Sequence, residues 1–223
     1  MKTLIGGVIG VLSMAASAAA QVPVAIVEDA QGKVDGVQFM DYVAPGKVIK
    51  LGPKATVVLG YMKSCWRETI TGGTVVVGTE QSMVHLGDIQ RVKVECDASG
   101  IQLSDREANQ GAATAFRALK RDQRAASPPP PQLTLYGLSP IIEVKEGGTL
   151  IIERIDAQAE RYTVPLKSSL LVRGKFYDLA KAKTSLTAGG TYSASLGSRK
   201  TTFKIDPHAT SGSTPIIGRL VRL

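Results

Sequence analysis

Two cysteines, two histidines and a scatter of acids and bases are the residues of this chain with types suited to chemistry. Cys65 and Cys96 are an even pair, which in an oxidising compartment reads as a disulfide. The competing chemistry is a reactive thiol, whose thiolate needs a nearby cation or a helix N-terminus. Lys63 and Arg67 flank Cys65, but both cysteines sit in strand-like context. A Cys–His nucleophile pair with His85 would require a reduced thiol. His85 alternates with Val84 and Leu86, and His208 follows Asp206-Pro207 in a turn, so no second histidine stands at zinc-ligand spacing. Glu68 and Glu80 are carboxylates that could pair for acid–base work, but their separation on strands is not readable. No G-x-S-x-G elbow and no S-x-x-K signature is present, and no G-K-[ST] follows Gly147-Gly148 or Gly189-Gly190. These residues predict neither a metal nor an organic cofactor.

The basic residues are the stronger lead. Lys200, Thr202 and Lys204 alternate with Thr201, Phe203 and Ile205, so a strand there presents lysines outward and buries Phe203 and Ile205. Arg219 and Arg222 near the C-terminus extend that face, and Arg117, Lys120, Arg121 and Arg124 recur at helical spacing. Together these eight are the candidate anion-binding residues. Aromatic residues do not interleave with them, which argues against stacking on nucleic acid. Ordinary solvated faces are the competing reading. Trp66, beside Cys65, reads as packing on the disulfide or as a ligand platform.

The elements that must position these groups are mostly strands. Between residues 22 and 103, β-branched runs such as 55–61, 73–78 and 92–96 are bounded by Gly52-Pro53, Gly72-Gly73 and Asp97-Ala98-Ser99-Gly100. Short strands with frequent turns predict a β-sandwich or roll over 21–103. Ser104-Asp105-Arg106-Glu107 then reads as a capping box, and Ala108, Ala112, Ala115, Phe116 and Leu119 give a narrow helical stripe. The helix ends at Pro128-Pro129-Pro130-Pro131, which favours an extended spacer, so 104–131 reads as a helix and proline-rich linker. From 132 to 223 about seven β runs return, the count expected of an immunoglobulin-like sandwich. Leu186-Thr187-Ala188-Gly189-Gly190-Thr191-Tyr192 places a tyrosine where its hydroxyl can bond back to upstream backbone. Residues 176–183 are ambiguous, with a short helical crossover as the reading they allow.

Residues 1–20 read as an address. Lys2, the apolar run from Leu4 to Met14 and Ala18-Ala19-Ala20 have the order of a cleavable signal peptide. The run is shorter than the roughly 20 apolar residues of a membrane span. Cleavage before Gln21 takes the formal charge from +8 to +7 and predicts a periplasmic or secreted protein without a transmembrane segment. In that compartment a basic protein favours anionic polymers, acidic headgroups or an acidic protein face, although such a charge also serves solubility alone.

Gly32-Lys33-Val34, followed by Val43-Ala44-Pro45-Gly46-Lys47-Val48-Ile49-Lys50-Leu51-Gly52-Pro53-Lys54-Ala55-Thr56-Val57-Val58-Leu59, resembles the exported β domain of the FecR-like family over about residues 24–96. Lys63 to Thr69 stand where that family places a D-G-S turn. With a leader instead of a cytosolic segment and span, the resemblance implies an exported β domain and carries over no signalling to a transcription factor. The 132–223 half resembles a fibronectin-III or immunoglobulin-type module through its Leu-x-x-Gly-x-x-Tyr turn. Such modules usually space or bind. The expectation is a non-enzymatic envelope adaptor or scaffold that binds a protein or anionic polymer. A hydrolase or transferase of envelope polymers with its site between the domains is one alternative. A structural module that self-associates through edge strands is the other.

Overall fold

The computed structural model describes residues 22–98, 130–157, 160–212 and 214–223. The expected signal peptide over 1–20, the capping box and helical stripe after Ser104, and most of the proline-rich linker lie outside them. Within the described residues the protein is mainly β, as its β-branched runs require.

In the N-terminal half, β1 (Ala25–Gln31), β2 (Val34–Asp35), β3 (Tyr42–Val43), β4 (Val48–Tyr61), β5 (Trp66–Val77), β6 (Ser82–His85) and β7 (Asp88–Lys93) form one antiparallel sheet. Its order is β3-β1-β4-β5-β6, with β2 on β4 and β7 on β5. The long β4 and β5 curl this sheet, and the register between them shifts between Leu51 and Thr56, where Gly52-Pro53 breaks the ladder. Alternation along β4 and β5 sends Ile49, Val57, Leu59, Tyr61, Ile70, Val75 and Val77 into a core closed by Ala25 and Val27 of β1. Glu68 is buried in that interior, where both its oxygens accept from the Ser82 N–H at 3.1 Å and Arg91 Nε lies 2.7 Å away.

The C-terminal half has two sheets. The first has the order β11-β10-β14-β15-β8, from β8 (Leu133–Gly137), β10 (Gly148–Arg154), β11 (Arg161–Leu166), β14 (Thr191–Leu196) and β15 (Arg199–Thr210). The second has the order β12-β13-β9-β16, from β9 (Ile141–Glu143), β12 (Leu171–Val172), β13 (Phe176–Asp178) and β16 (Leu220–Arg222). Pairing is antiparallel except that β8 joins β15, and β16 joins β9, in parallel. Leu135, Ile141, Leu150, Ile152, Phe176, Tyr192, Phe203 and Ile205 fill the space between the sheets. Residues 176–183 begin as strand β13 and continue in turns, while 216–220 open with a short 3-10 turn before β16. The tyrosine turn does what its spacing predicts: the Thr187 N–H donates to Tyr192 Oη at 2.9 Å, and Tyr192 donates to Glu160 Oε2 at 2.5 Å.

The two β units touch. Ile26, Met40 and Met62 belong to the same buried cluster as the C-terminal core. Across the seam the Ile217 N–H donates to Glu28 Oε1 at 3.0 Å, and the Thr134 N–H donates to Asp97 Oδ2 at 2.8 Å. Gly60 allows the approach, since a Cβ there would lie 2.7 Å from both Glu28 Oε1 and Ile217 Cγ2.

Candidate functional site

At one end of this seam a cleft of about 750 Å³ opens between the two β units. One wall is the chain from Gly36 to Lys47, which includes β3; the other is the tip of the β12–β13 hairpin with Phe176. Both walls owe their shape to left-handed backbone. Arg173 (φ 55°) and Gly174 (φ 67°) are the central residues of the turn in a three-residue connection from β12 to β13, closed by the Lys175 N–H donating to the Val172 carbonyl at 3.2 Å. Met40 (φ 67°) turns the opposite wall so that its own side chain is buried, and the Gln38 N–H donates to Asp41 Oδ2 at 2.7 Å.

The ionisable residues of the lining are Asp41, Tyr42, Lys47, Arg173 and Lys175, an excess of cations. Arg173 Nη2 lies 3.0 Å from Asp41 Oδ1, and its Nη1 donates to Gln38 Oε1, so this guanidinium ties one unit to the other across the mouth. Lys47 and Lys175 are exposed and make no ion pair among the described residues. Behind the wall, Tyr42 Oη donates to Glu143 Oε2 at 2.8 Å, and Arg222 Nε donates to the same oxygen at 3.1 Å. The Arg222 guanidinium lies 5.2 Å from the Tyr42 ring centre, and the Tyr42 and Phe176 rings meet tilted at 6.1 Å. Glu143 is thereby committed to holding the wall. Such a cleft can seat an anionic group on one guanidinium and two ammonium groups, each from a different position on its rim.

The residues singled out in the sequence are dispersed. Cys65 and Cys96 are joined in a disulfide, with Cα atoms 5.7 Å apart. Trp66 is half-buried beside it, with Lys93 Nζ 4.7 Å from its ring centre. Phe203 and Ile205 are buried, Lys200 is exposed and Lys204 half-buried. Thr202, expected outward, is buried because its hydroxyl donates to the Pro130 carbonyl at 3.0 Å, so incoming chain covers it. Arg219 corrects a second expectation. It is 7% exposed, and its Nη1 donates to Asp178 Oδ1 at 2.8 Å and to the Ser139 carbonyl at 2.9 Å, which places the cation inside the fold. Arg117, Lys120, Arg121 and Arg124 lie outside the described residues. Sequence reasoning passed over Lys47, Arg173, Lys175 and Asp41. Only Arg173-Gly174 between two apolar runs carried a signal, that of a tight hairpin, and the facing wall is more than a hundred residues away.

Among the described residues no three His, Cys, Asp or Glu side chains gather as a metal site, and no helix is long and apolar enough to cross a membrane. No family model, curated protein or solved structure matches the chain.

Proposed function

We propose that this chain is a non-enzymatic, exported binding protein, an envelope adaptor that holds a protein or anionic polymer in the cleft between its two β units. The observation that carries the reading is the cation excess at that cleft, with Lys47 and Lys175 facing it from opposite units. The leader-like residues 1–20 and the Cys65–Cys96 disulfide support a periplasmic or secreted location. The N-terminal unit is proposed as FecR-like. The C-terminal unit, with two sheets over one core and a tyrosine bonded back to its turn, is proposed as an immunoglobulin-like sandwich. In this reading residues 104–131 connect the units, while the buried seam sets how their surfaces meet.

The position of the cleft also suits the rival reading of a hydrolase or transferase with an inter-domain site. Its chemistry favours binding. Asp41, the carboxylate of the lining, spends one oxygen on Arg173 and the other on the Gln38 N–H, which leaves it poorly placed as a general base. The test is a pull-down from envelope extract with the oxidised chain, eluted in a salt gradient. Partners that bind the native chain and are lost from Lys47→Glu/Lys175→Glu support the reading. Unchanged capture by that variant refutes it, as does turnover of an envelope polymer that a single substitution abolishes.

A further inference from the structure

We propose that the cleft is shaped for a carboxylate-bearing polypeptide segment, and that Asp41 occupies in the free protein the place on Arg173 that a ligand carboxylate takes over. This rests on the cleft being the binding site argued above. Arg173 projects from an exposed hairpin tip and meets Asp41 with 3.0 Å between Nη2 and Oδ1. The planar guanidinium is thus already aimed at a carboxylate at the mouth of the cleft. Asp41 keeps its second oxygen on the Gln38 N–H, so its loop stays anchored when Arg173 leaves. The pair is open to water, its side chains 42% and 36% exposed, and such pairs are weak enough to exchange partners.

The rest of the lining fits a peptide carrying both acidic and apolar side chains. Lys47 and Lys175, unengaged in ion pairs among the described residues, can serve further carboxylates in the same cleft. Ala44 and Pro45, both half-buried, add apolar surface to the wall that carries Lys47. An acidic polysaccharide is served less well. Sugar rings pack on open aromatic faces, whereas here Tyr42 is tilted against a buried Phe176.

Fluorescence polarisation with a labelled (Glu-Val)4 peptide and a heparin oligosaccharide of equal charge tests the proposal on the oxidised full chain. The peptide is expected to bind more tightly than heparin, and Lys47→Glu/Lys175→Glu to weaken it more than tenfold. Asp41→Asn, which keeps an acceptor for Gln38, is expected to tighten peptide binding about threefold by releasing Arg173. That gain is expected to vanish in Asp41→Asn/Arg173→Ala, while Arg173→Ala alone stays within about twofold of the native chain, because exchange trades one pair for another. Near-UV circular dichroism confirms that each variant is folded. If Asp41→Asn leaves affinity unchanged while the double lysine reversal abolishes it, the stand-in role of Asp41 is wrong and the cleft remains the binding site. If Arg173→Ala costs the native chain as much as it costs Asp41→Asn, the two residues are uncoupled and the exchange is refuted. Tighter binding of heparin overturns the polypeptide assignment. Indifference to the lysine reversal overturns the binding site itself.

Discussion

Tyr192 shows how far one residue can be read from sequence and where the reading stops. Its place after Leu-x-x-Gly-x-x announces a hydroxyl bonded to nearby backbone, and the Thr187 N–H five residues upstream is that partner. Glu160, which accepts the phenol proton from 32 residues away, has no local signature. Burial alone would raise the Glu160 carboxyl, but hydrogen bonds from Tyr192, Thr187 and Arg154 outweigh it and hold the group below the usual range. Asp156 behaves alike: burial opposes, and Arg154 with the Thr191 N–H prevails. Tyr192 is pushed up to about 12 by burial and by its bond to Glu160, and Tyr61 to about 12 mainly by burial. The signs oppose each other. Depressed carboxylates stabilise the fold above their unfolded values near 4, and that contribution is lost as pH falls through their folded values. Raised phenols contribute fully below about 10, and that contribution is lost as pH rises to about 12. An ultraviolet tyrosinate titration should therefore show Tyr61 and Tyr192 ionising late, with the fold loosening as they do. Ionisation of all six tyrosines by about pH 10.5 with the fold intact would contradict these environments.

At the level of elements, β-branched runs and glycine turns located strands well because both signals are local. Residues 55–61 and 73–78 lie wholly or almost wholly within β4 and β5, and 149–153, one of the β runs after residue 132, lies within β10, whereas of 92–96 only Val92 and Lys93 belong to a strand, β7. Residues 216–220, counted among the seven β runs after residue 132, misled for a tertiary reason, since they open as a 3-10 turn. Their backbone turns to place the Ile217 N–H on Glu28 of the other unit before β16 begins, and an apolar run cannot announce a partner so remote. The Gly72-Gly73 pair read as a turn between strands; instead it lies inside β5, at φ 69° and 77°, opposite the register shift of β4. A side chain at residue 73 has no room, since its Cβ would sit 2.3 Å from the His85 carbonyl and 2.6 Å from that of Leu86. Gly73→Ala should cost about 2–4 kcal/mol, combining left-handed strain with a backbone clash that pushes β6 away. Urea unfolding measures this. A loss below about 0.5 kcal/mol would show that the β5–β6 ladder is not held so closely.

For the molecule as a whole, long-range links were the least visible in the sequence, because each joins residues far apart in the chain. The disulfide is the exception, foreseen because two cysteines offer one pairing. It closes a separation of 31 residues, and Cys65→Ala/Cys96→Ala should lower stability by about 3–4 kcal/mol in guanidinium unfolding if chain entropy governs. The seam offers the more discriminating test. Glu28 lies on the bulged part of β1, and its side chain is 2% exposed, between Arg67 Nε at 2.7 Å and the Ile217 N–H at 3.0 Å. Removing the carboxylate leaves a backbone donor without its acceptor and opens a void above Gly60. Glu28→Ala should therefore cost about 2–4 kcal/mol, while Glu28→Gln, able to keep the bond to Ile217, should cost less. Because Ile26, Met40 and Met62 share the C-terminal core, calorimetry of the native chain should show one transition with equal calorimetric and van't Hoff enthalpies. Glu28→Ala should lower that transition or divide it. Two separate transitions in the native chain would mean that each unit is stable alone, and a cleft with one wall from each would then lose the rigidity that its placement of Lys47 opposite Lys175 requires.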